Sequence, residues 1–461
     1  MTGSPSSIKL SASTYGVPLG VPSDRGVMSV RHGSKAFLAT GALVALTVAG
    51  CGSSSKTSAP PTSATGGAGG STATTPSANT ASAPGITPST IKIGFVTDVT
   101  GVASSTFFDA AGGARAAFDA INAAGGVDGR QIQLVTEDGQ STPAGDLAAT
   151  QSLLSQNVYA IENFSSFLFG SYKLTQEQGI PITGGGFDGP EWGQQPNTNM
   201  FSTTGDTNGR TSNNTISANF FKLVGAPNVG GLAYGISPSS TSSIVDLKTA
   251  LGMTGGKMGY ENLSVPFGGV DVTSYVLAMK QAGVNGAACS CVQSTNLALF
   301  TALKQAGLTN VKALSFSSAD NSVFTSGATA EAAAQGAYYP SQIPPLDLNN
   351  SATNLMIHNL TTYDSSLYHG GYPSFGATGA YLAAELMVKG LQVAGQNPTR
   401  QTFINNLRQV SSWDANGLLA SPVAFNNFGH SQPSGCGYYV QVQGTAFHSI
   451  NGGKPICGTS F

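Results

Sequence analysis

From Ile91 onward, short β-branched or apolar runs alternate with stretches whose apolar residues recur at helical spacing, and that alternation admits few architectures. The run 91–96 reads as a strand. After a Gly/Ser loop, Ala114, Ala117, Phe118 and Ile121 share one face of a helix over 110–123, which the glycines after Ala124 end. Strands at 131–136, 158–161 and 180–183 then alternate with helices at 145–156 and 170–178. A second series starts after Arg210, with a helix to about 224 and strands at 231–234, 263–265, 287–292 and 313–316. Helices at 242–251, 272–282 and 296–306 separate those strands. Two long helical patterns, 351–368 and 377–394, and a shorter one at 402–409 precede a β-rich end. Strands that take turns with helices are joined by crossovers, which makes them parallel and covers both sheet faces. The fold class is therefore α/β, with two doubly wound parallel-sheet lobes.

Charged residues make up 9% of the chain and the formal net charge is -2, so nothing draws it to nucleic acid. Small molecules or proteins are the expected partners. The sequence contains no G-x-S-x-G elbow, P-loop or H-E-x-x-H motif. Its histidines, His32, His358, His369, His430 and His448, lack metal-ligand spacing. No enzyme activity, cofactor or metal is expected.

Near the start, Arg31 and Lys35 precede an uncharged stretch over 36–50 that is shorter than the roughly 20 apolar residues a membrane span needs. Basic residues, a short apolar run and a small-residue cleavage point make a secretory signal over 1–50. The start is Met1 or Met28. Val48-Ala49-Gly50-Cys51 resembles the lipobox of bacterial lipoproteins, which implies that Cys51 is lipidated and becomes the first mature residue. The protein would then be exported and held by lipid on the outer face of the cytoplasmic membrane. Residues 51–88 are dominated by Ser, Thr, Ala, Gly and Pro, too poor in large apolar groups to fold alone, and read as a tether.

Four cysteines remain, in a compartment that permits disulfides. Cys436 and Cys457 flank a hairpin, 438–442 with 447–450, and are expected to be bridged. Cys289 and Cys291 lie two apart on an apparent strand. At about 3.3 Å per residue their Cα atoms approach the upper limit for a bridge, so free buried thiols are expected there.

Ile91-Lys-Ile-Gly-Phe-Val, then Thr100-Gly101, then 112–130 with its Asn-Ala-Ala-Gly-Gly-Val-Asp-Gly-Arg ending, is similar to the opening of type I periplasmic binding proteins. The likeness is closest to the branched-chain amino acid branch of ABC transporter receptors and runs from Ile91 to Phe461. The resemblance implies a monomeric receptor that closes on a small solute between two lobes and docks on an ABC permease. It places the lobes at 89–207 with 339–415 and at 208–338 with 416–461, joined by hinge passages near 205–210, 337–345 and 413–419.

Ligands of open parallel sheets bind at strand carboxyl ends. After 158–161 come Ser165 and Ser166, hydroxyls beside helix N–H groups that suit a carboxylate or other polar end of a small ligand, or simply cap the helix. After 180–183 come Gly184, Gly185, Gly186 and Phe187. This stretch matches G-x-G-x-x-G in form but is followed by Pro190 and Pro196 instead of a helix, against a dinucleotide site. The resemblance adds Thr100, Tyr234, Ser237, Gln293, Ser294, Ser318 and Asp320 as ligand residues, and implies that Gln293→Ala or Ser318→Ala weakens binding. Where amino-acid receptors place a carboxylate for the ligand's ammonium, this chain has Ser318 or Ala319, with Asp320 just beyond. Phe107, Phe108, Phe164, Phe167, Phe169, Phe187, Trp192 and Tyr234 crowd the same loops, which favours a solute with an apolar or aromatic body. An amino acid, an amide and an aromatic or apolar acid remain open as ligands. Sensing remains open beside transport, and a secreted hydrolase is the third alternative.

Overall fold

The structure, a computed structural model, describes residues 78–205, 214–268, 270–365, 368, 370–430, 432 and 434–461. The signal, the lipobox with Cys51, most of the tether, all but Gly205 of the hinge expected near 205–210, and His369 lie outside the described residues.

Strands β1 (Thr90–Thr97), β2 (Gln131–Asp138), β3 (Ala160–Phe164), β4 (Ile182–Gly184) and β5 (Met200–Ser202) form an all-parallel sheet in the order β2-β1-β3-β4-β5. Strands β6 (Asn228–Tyr234), β7 (Lys257–Val265), β8 (Gly286–Ser290), β9 (Lys312–Ser315) and β10 (Tyr338–Ser341) repeat that order, again parallel, as β7-β6-β8-β9-β10. The second sheet continues antiparallel through β11 (Ser434–Gln443) to β12 (Ala446–Ser449), and β13 (Ile456–Thr459) also pairs with β11. Each parallel set has the doubly wound order, whose strand sequence reverses beside its first strand.

Three strands were not expected from sequence. β5 and β10 are three and four residues long, too short to show alternation, and β13 is broken by glycine. The strand expected at 263–265 begins at Lys257. It is an edge strand with exposed Lys257 and Glu261, so its first residues carry no apolar signal. The helix expected to reach 368 stops at Tyr363.

Two long helices, Ala110–Ala123 and Phe375–Ala394, pack on each other and on the first sheet, and small residues let them approach. A Cβ on Gly113 would stand 2.0 Å from the carbonyl oxygen of Ala377, and one on Gly379 would stand 2.0 Å from the ring of Phe164. The second sheet has its own cores around Leu299, Phe300 and Tyr339 on one face and Phe220, Phe221 and Leu247 on the other.

The tether ends earlier than 88. Ile86 is buried, Thr80 N–H donates to Asn397 Oδ1 at 2.8 Å, and Ser82 Oγ donates to the Pro398 carbonyl at 2.7 Å. Arg130 explains this: its buried guanidinium donates to the carbonyls of Thr80, Thr87 and Gln396 and to Asn397 Oδ1, fastening a segment that has almost no apolar anchor. The chain returns to the first sheet's helices after β10. The last passage comes later than 413–419, because Trp413 pairs with Val423 and both pack with Leu418 and Phe425 in the first core.

Cys436 and Cys457 face each other across β11 and β13 and are bonded. Cys289 and Cys291 are bonded too, which corrects the expectation of free thiols. Strand β8 stops at Ser290, so the backbone bends between them and their Cα atoms stand 5.2 Å apart, less than an extended strand would set.

Candidate functional site

The carboxyl ends of both parallel sheets open onto one cavity of about 370 Å³. From the first sheet come Ser166 and Phe167 after β3, Gly185 and Phe187 after β4, and Thr203 and Thr204 after β5. From the second come Tyr234 at the end of β6, Ser290 to Val292 at the end of β8, Phe316 to Ser318 after β9, and Ser341 closing β10. Helix starts add Ser237, Ser239 and Ser240 on one side and Phe375 on the other. The convergence follows from topology, since parallel strands send all their free loops to one edge.

The two walls differ. Phe107, Phe187 and Phe375 form an aromatic face with centroids 5.4 to 5.7 Å apart, backed by buried Phe164. Phe267, after β7, packs edge-on against Phe167 at 5.8 Å and Tyr234 at 4.7 Å, so aromatic rings join the two sides along one rim. The opposite wall is lined mostly by serines. Among the described residues the lining contains no Asp, Glu, Lys, Arg or His. Among the described residues there is also no metal-ligand cluster and no helix long and apolar enough to cross a membrane.

Six expected residues line the cavity: Ser166, Gly185, Phe187, Tyr234, Ser237 and Ser318. Tyr234 donates from its buried hydroxyl to Thr295 Oγ1 at 2.6 Å, and burial raises its pKa. Ser237 caps the helix Pro238–Thr254 by accepting from Ser240 N–H. Ser318 donates to the Pro340 carbonyl at 3.0 Å.

The other seven do not line it. Thr100 is exposed and donates to Asp138 Oδ2 at 2.6 Å. Ser165 is buried, and its hydroxyl donates to Asp98 Oδ1 at 3.0 Å while accepting from Phe167 N–H. Gly184 packs under Trp192. Gly186, with φ +71°, lies where a Cβ would strike Ser202 Oγ. In both places internal packing leaves no room for a Cβ. Gln293 turns to Tyr339 Oη at 3.2 Å, and Ser294 faces solvent on the far side of the same helix start. Asp320 is buried behind the wall, accepting from Ser322 and Phe375 N–H groups, and burial raises its pKa. Of the aromatics, Phe108 is exposed, Phe164 and Trp192 are core, and Phe169 is half-buried away from the lining.

Asp98 changes the chemistry expected at Ser165 and Ser166. It is fully buried just after β1. Its Oδ2 accepts from Ser166 N–H at 3.0 Å, and its Oδ1 accepts from Ser165 Oγ and from Ser141 N–H at 3.2 Å. The chain's own carboxylate occupies the donors that suited a ligand carboxylate. Burial raises the Asp98 pKa although all three donors oppose that shift.

Sequence reasoning missed most of the serine wall and Phe267, Phe316 and Phe375. Serine carries almost no positional signal, and Phe267 follows an edge strand whose start was invisible.

Two parallel sheets of one topology, sharing at their strand ends a cavity whose described lining carries no charged side chain, define a two-part binding protein. The sequence model of the periplasmic binding protein family matches residues 90–447, and the chain belongs to that family, which works outside the cytoplasm. No curated protein sequence matches it. Among solved structures, a fatty acid ABC transporter substrate-binding protein from Thermomonospora curvata is similar at 19% identity and TM-score 0.66, covering 82% of this chain and 94% of that one. The Streptococcus pneumoniae branched-chain amino acid transporter substrate binding protein LivJ, in complex with isoleucine, shares 17% identity over 80% and 99% of the two chains, with TM-score 0.64. An ABC transporter solute binding protein from R. palustris in complex with benzoate shares 14% over 81% and 97%, with TM-score 0.62.

Proposed function

We infer that this protein is the solute receptor of an ABC importer. It traps a small solute with an apolar or aromatic body between two lobes and presents the closed form to the permease. The observation that carries this is the single cavity built from the strand ends of both sheets, with Phe187 and Ser166 on one side and Tyr234 and Ser318 on the other. A solute touching both sides gains contacts only when the sides are together, so it favours closure by that difference. The named ligands of the similar structures, a fatty acid, isoleucine and benzoate, all have apolar bodies. The lobes are those expected at 89–207 with 339–415 and 208–338 with 416–461, with the first lobe's start drawn back to 78, the second extended through β10 and the last boundary moved past Phe425, and the receptor is a monomer anchored by lipid on Cys51.

The test is a thermal-shift screen of the purified protein against amino acids, amides, alcohols and aromatic acids, followed by calorimetry. The expected result is saturable binding of one chemical class, lost in Phe187→Ala, with the solute recovered unchanged. Absence of any saturable ligand, or turnover of one, would overturn the proposal.

A further inference from the structure

The serine wall is less versatile than its composition suggests. A hydroxyl has one proton, and five of the lining serines commit theirs to main-chain carbonyls, whereas Thr106 Oγ1, buried in the lining, has no partner. Ser243 donates to Ser239 at 2.8 Å, Ser317 to Cys291 at 2.8 Å, Ser318 to Pro340 at 3.0 Å and Ser341 to Ile343 at 2.7 Å, while Ser240 donates to Ser290. What these groups have left for a solute is lone pairs. Gln342, which also lines the cavity, has a buried Oε1 with no hydrogen-bond partner, another acceptor without a donor.

Four N–H groups of the lining are spent as well. Asp98 takes Ser166 N–H, Asp320 takes Phe375 N–H, Ser165 takes Phe167 N–H and Ser237 takes Ser240 N–H. The described lining supplies no cation for a carboxylate and no carboxylate for an ammonium, and burying either charge without a partner is unfavourable.

We propose that the cavity selects an uncharged solute, an apolar or aromatic body carrying hydroxyl or amide N–H groups, and discriminates against carboxylates and ammonium ions. The body lies against Phe107, Phe187 and Phe375, and its donors meet Gln342 Oε1 and the serine lone pairs. A cavity of about 370 Å³ holds the equivalent of roughly a dozen waters at about 30 Å³ each, which sets the solute's size. This assignment rests on the receptor reading above and narrows it: by charge, zwitterionic amino acids and aromatic acids drop out.

The experiment uses matched sets with one body and three charge states. Benzyl alcohol and benzamide are compared with benzoate and benzylammonium, and hexanol and hexanamide with hexanoate and hexylammonium, by calorimetry on the purified protein at pH 7. The neutral members should bind at least roughly tenfold more tightly than either ion of the same body, since an unpaired buried charge exceeds the free energy of one decade. Gln342→Glu keeps the shape and the acceptor and adds a charge, so it should create affinity for the ammonium members, whereas Gln342→Met removes the acceptor and should weaken the alcohols and amides. A carboxylate that binds as tightly as its neutral partner overturns the charge assignment and leaves the receptor reading standing. So does a set with no binder when the broader screen finds a charged ligand. If neither experiment finds a ligand, both fail. Unchanged affinities in either Gln342 variant would overturn the placement of the solute's donors.

Discussion

Asp146 offers a test of how burial governs this protein's stability. It sits in the first turn of the helix Pro143–Ser155, fully buried, with Oδ2 accepting from Asn163 Nδ2 at 3.0 Å and Oδ1 from the Ser171 hydroxyl. Burial is the main cause that lifts its pKa to about 7, and nearby Asp188 and Asp98 push the same way against the two hydrogen bonds. Unfolded, the same group titrates near the ordinary value of about 3.9. Between those values the native chain holds a proton that the unfolded chain has released, so stability falls as pH rises. The contribution is complete below about pH 4 and gone above about pH 7. The slope is about 1.4 kcal/mol per pH unit and fades as pH nears the folded value, which makes roughly 2 kcal/mol between pH 5 and pH 7 and nearly 3 by about pH 8. Asp146→Asn cannot ionise and keeps one acceptor and one donor. Urea unfolding followed by the fluorescence of Trp192 and Trp413 should show the stability gap between wild type and variant moving by roughly 3 kcal/mol from pH 5 to pH 8, in favour of the variant at the higher pH. Acids out of reach of Asp146 shift in wild type and variant alike, so the gap reads Asp146 together with its coupling to Asp98, Asp188 and Glu191. A gap that stays constant with pH would refute the reasoning, because it would mean that the carboxyl titrates at its ordinary value in the folded chain.

Other perturbations have equally direct readouts. Gly113→Val drives a side chain into the Ala377 carbonyl, and overpacking of this kind should lower stability by about 1–3 kcal/mol in urea titration. Breaking the Cys436–Cys457 bridge with a double Ser substitution releases a loop spanning a separation of 21 residues, which should cost about 3 kcal/mol, read from the unfolding free energy. Arg130→Ala removes the fastening of the segment before β1. Limited proteolysis should then cut within 78–86, where the wild type resists.

Most of the scaffold was legible because each parallel strand is a separate apolar run between helices of clear periodicity. The central strands β1, β3, β6 and β8 are buried on both faces over most of their length, so their sequences are mostly apolar or small, with Lys92, Glu162 and Asn163 as interior polar exceptions. The exceptions were strands too short or too exposed to carry a pattern, β5, β10 and the first part of β7. The Cys289–Cys291 bond was misread for a related reason. The strand was extended to Val292, and ending it at Ser290 is what brings the two residues together.

The site was legible only to within one residue, and one residue decides its chemistry. The loops that converge on the cavity were found, but neighbouring residues in them face opposite ways. Ser166 lines the cavity while Ser165 holds Asp98; Gly185 lines it while Gly184 and Gly186 pack against Trp192 and Ser202; Ser318 lines it while Asp320 is drawn back to cap Phe375. Such choices depend on partners far along the chain. Asp98 reaches Ser166 across 68 residues, and Asp320 reaches Phe375 across 55. A serine beside a helix start reads as an anion site until the residue that already fills it is known. Here that residue is an internal carboxylate. The loop pattern shared with receptors of charged solutes therefore coexists, on the described residues, with a cavity that offers no charge to bind one.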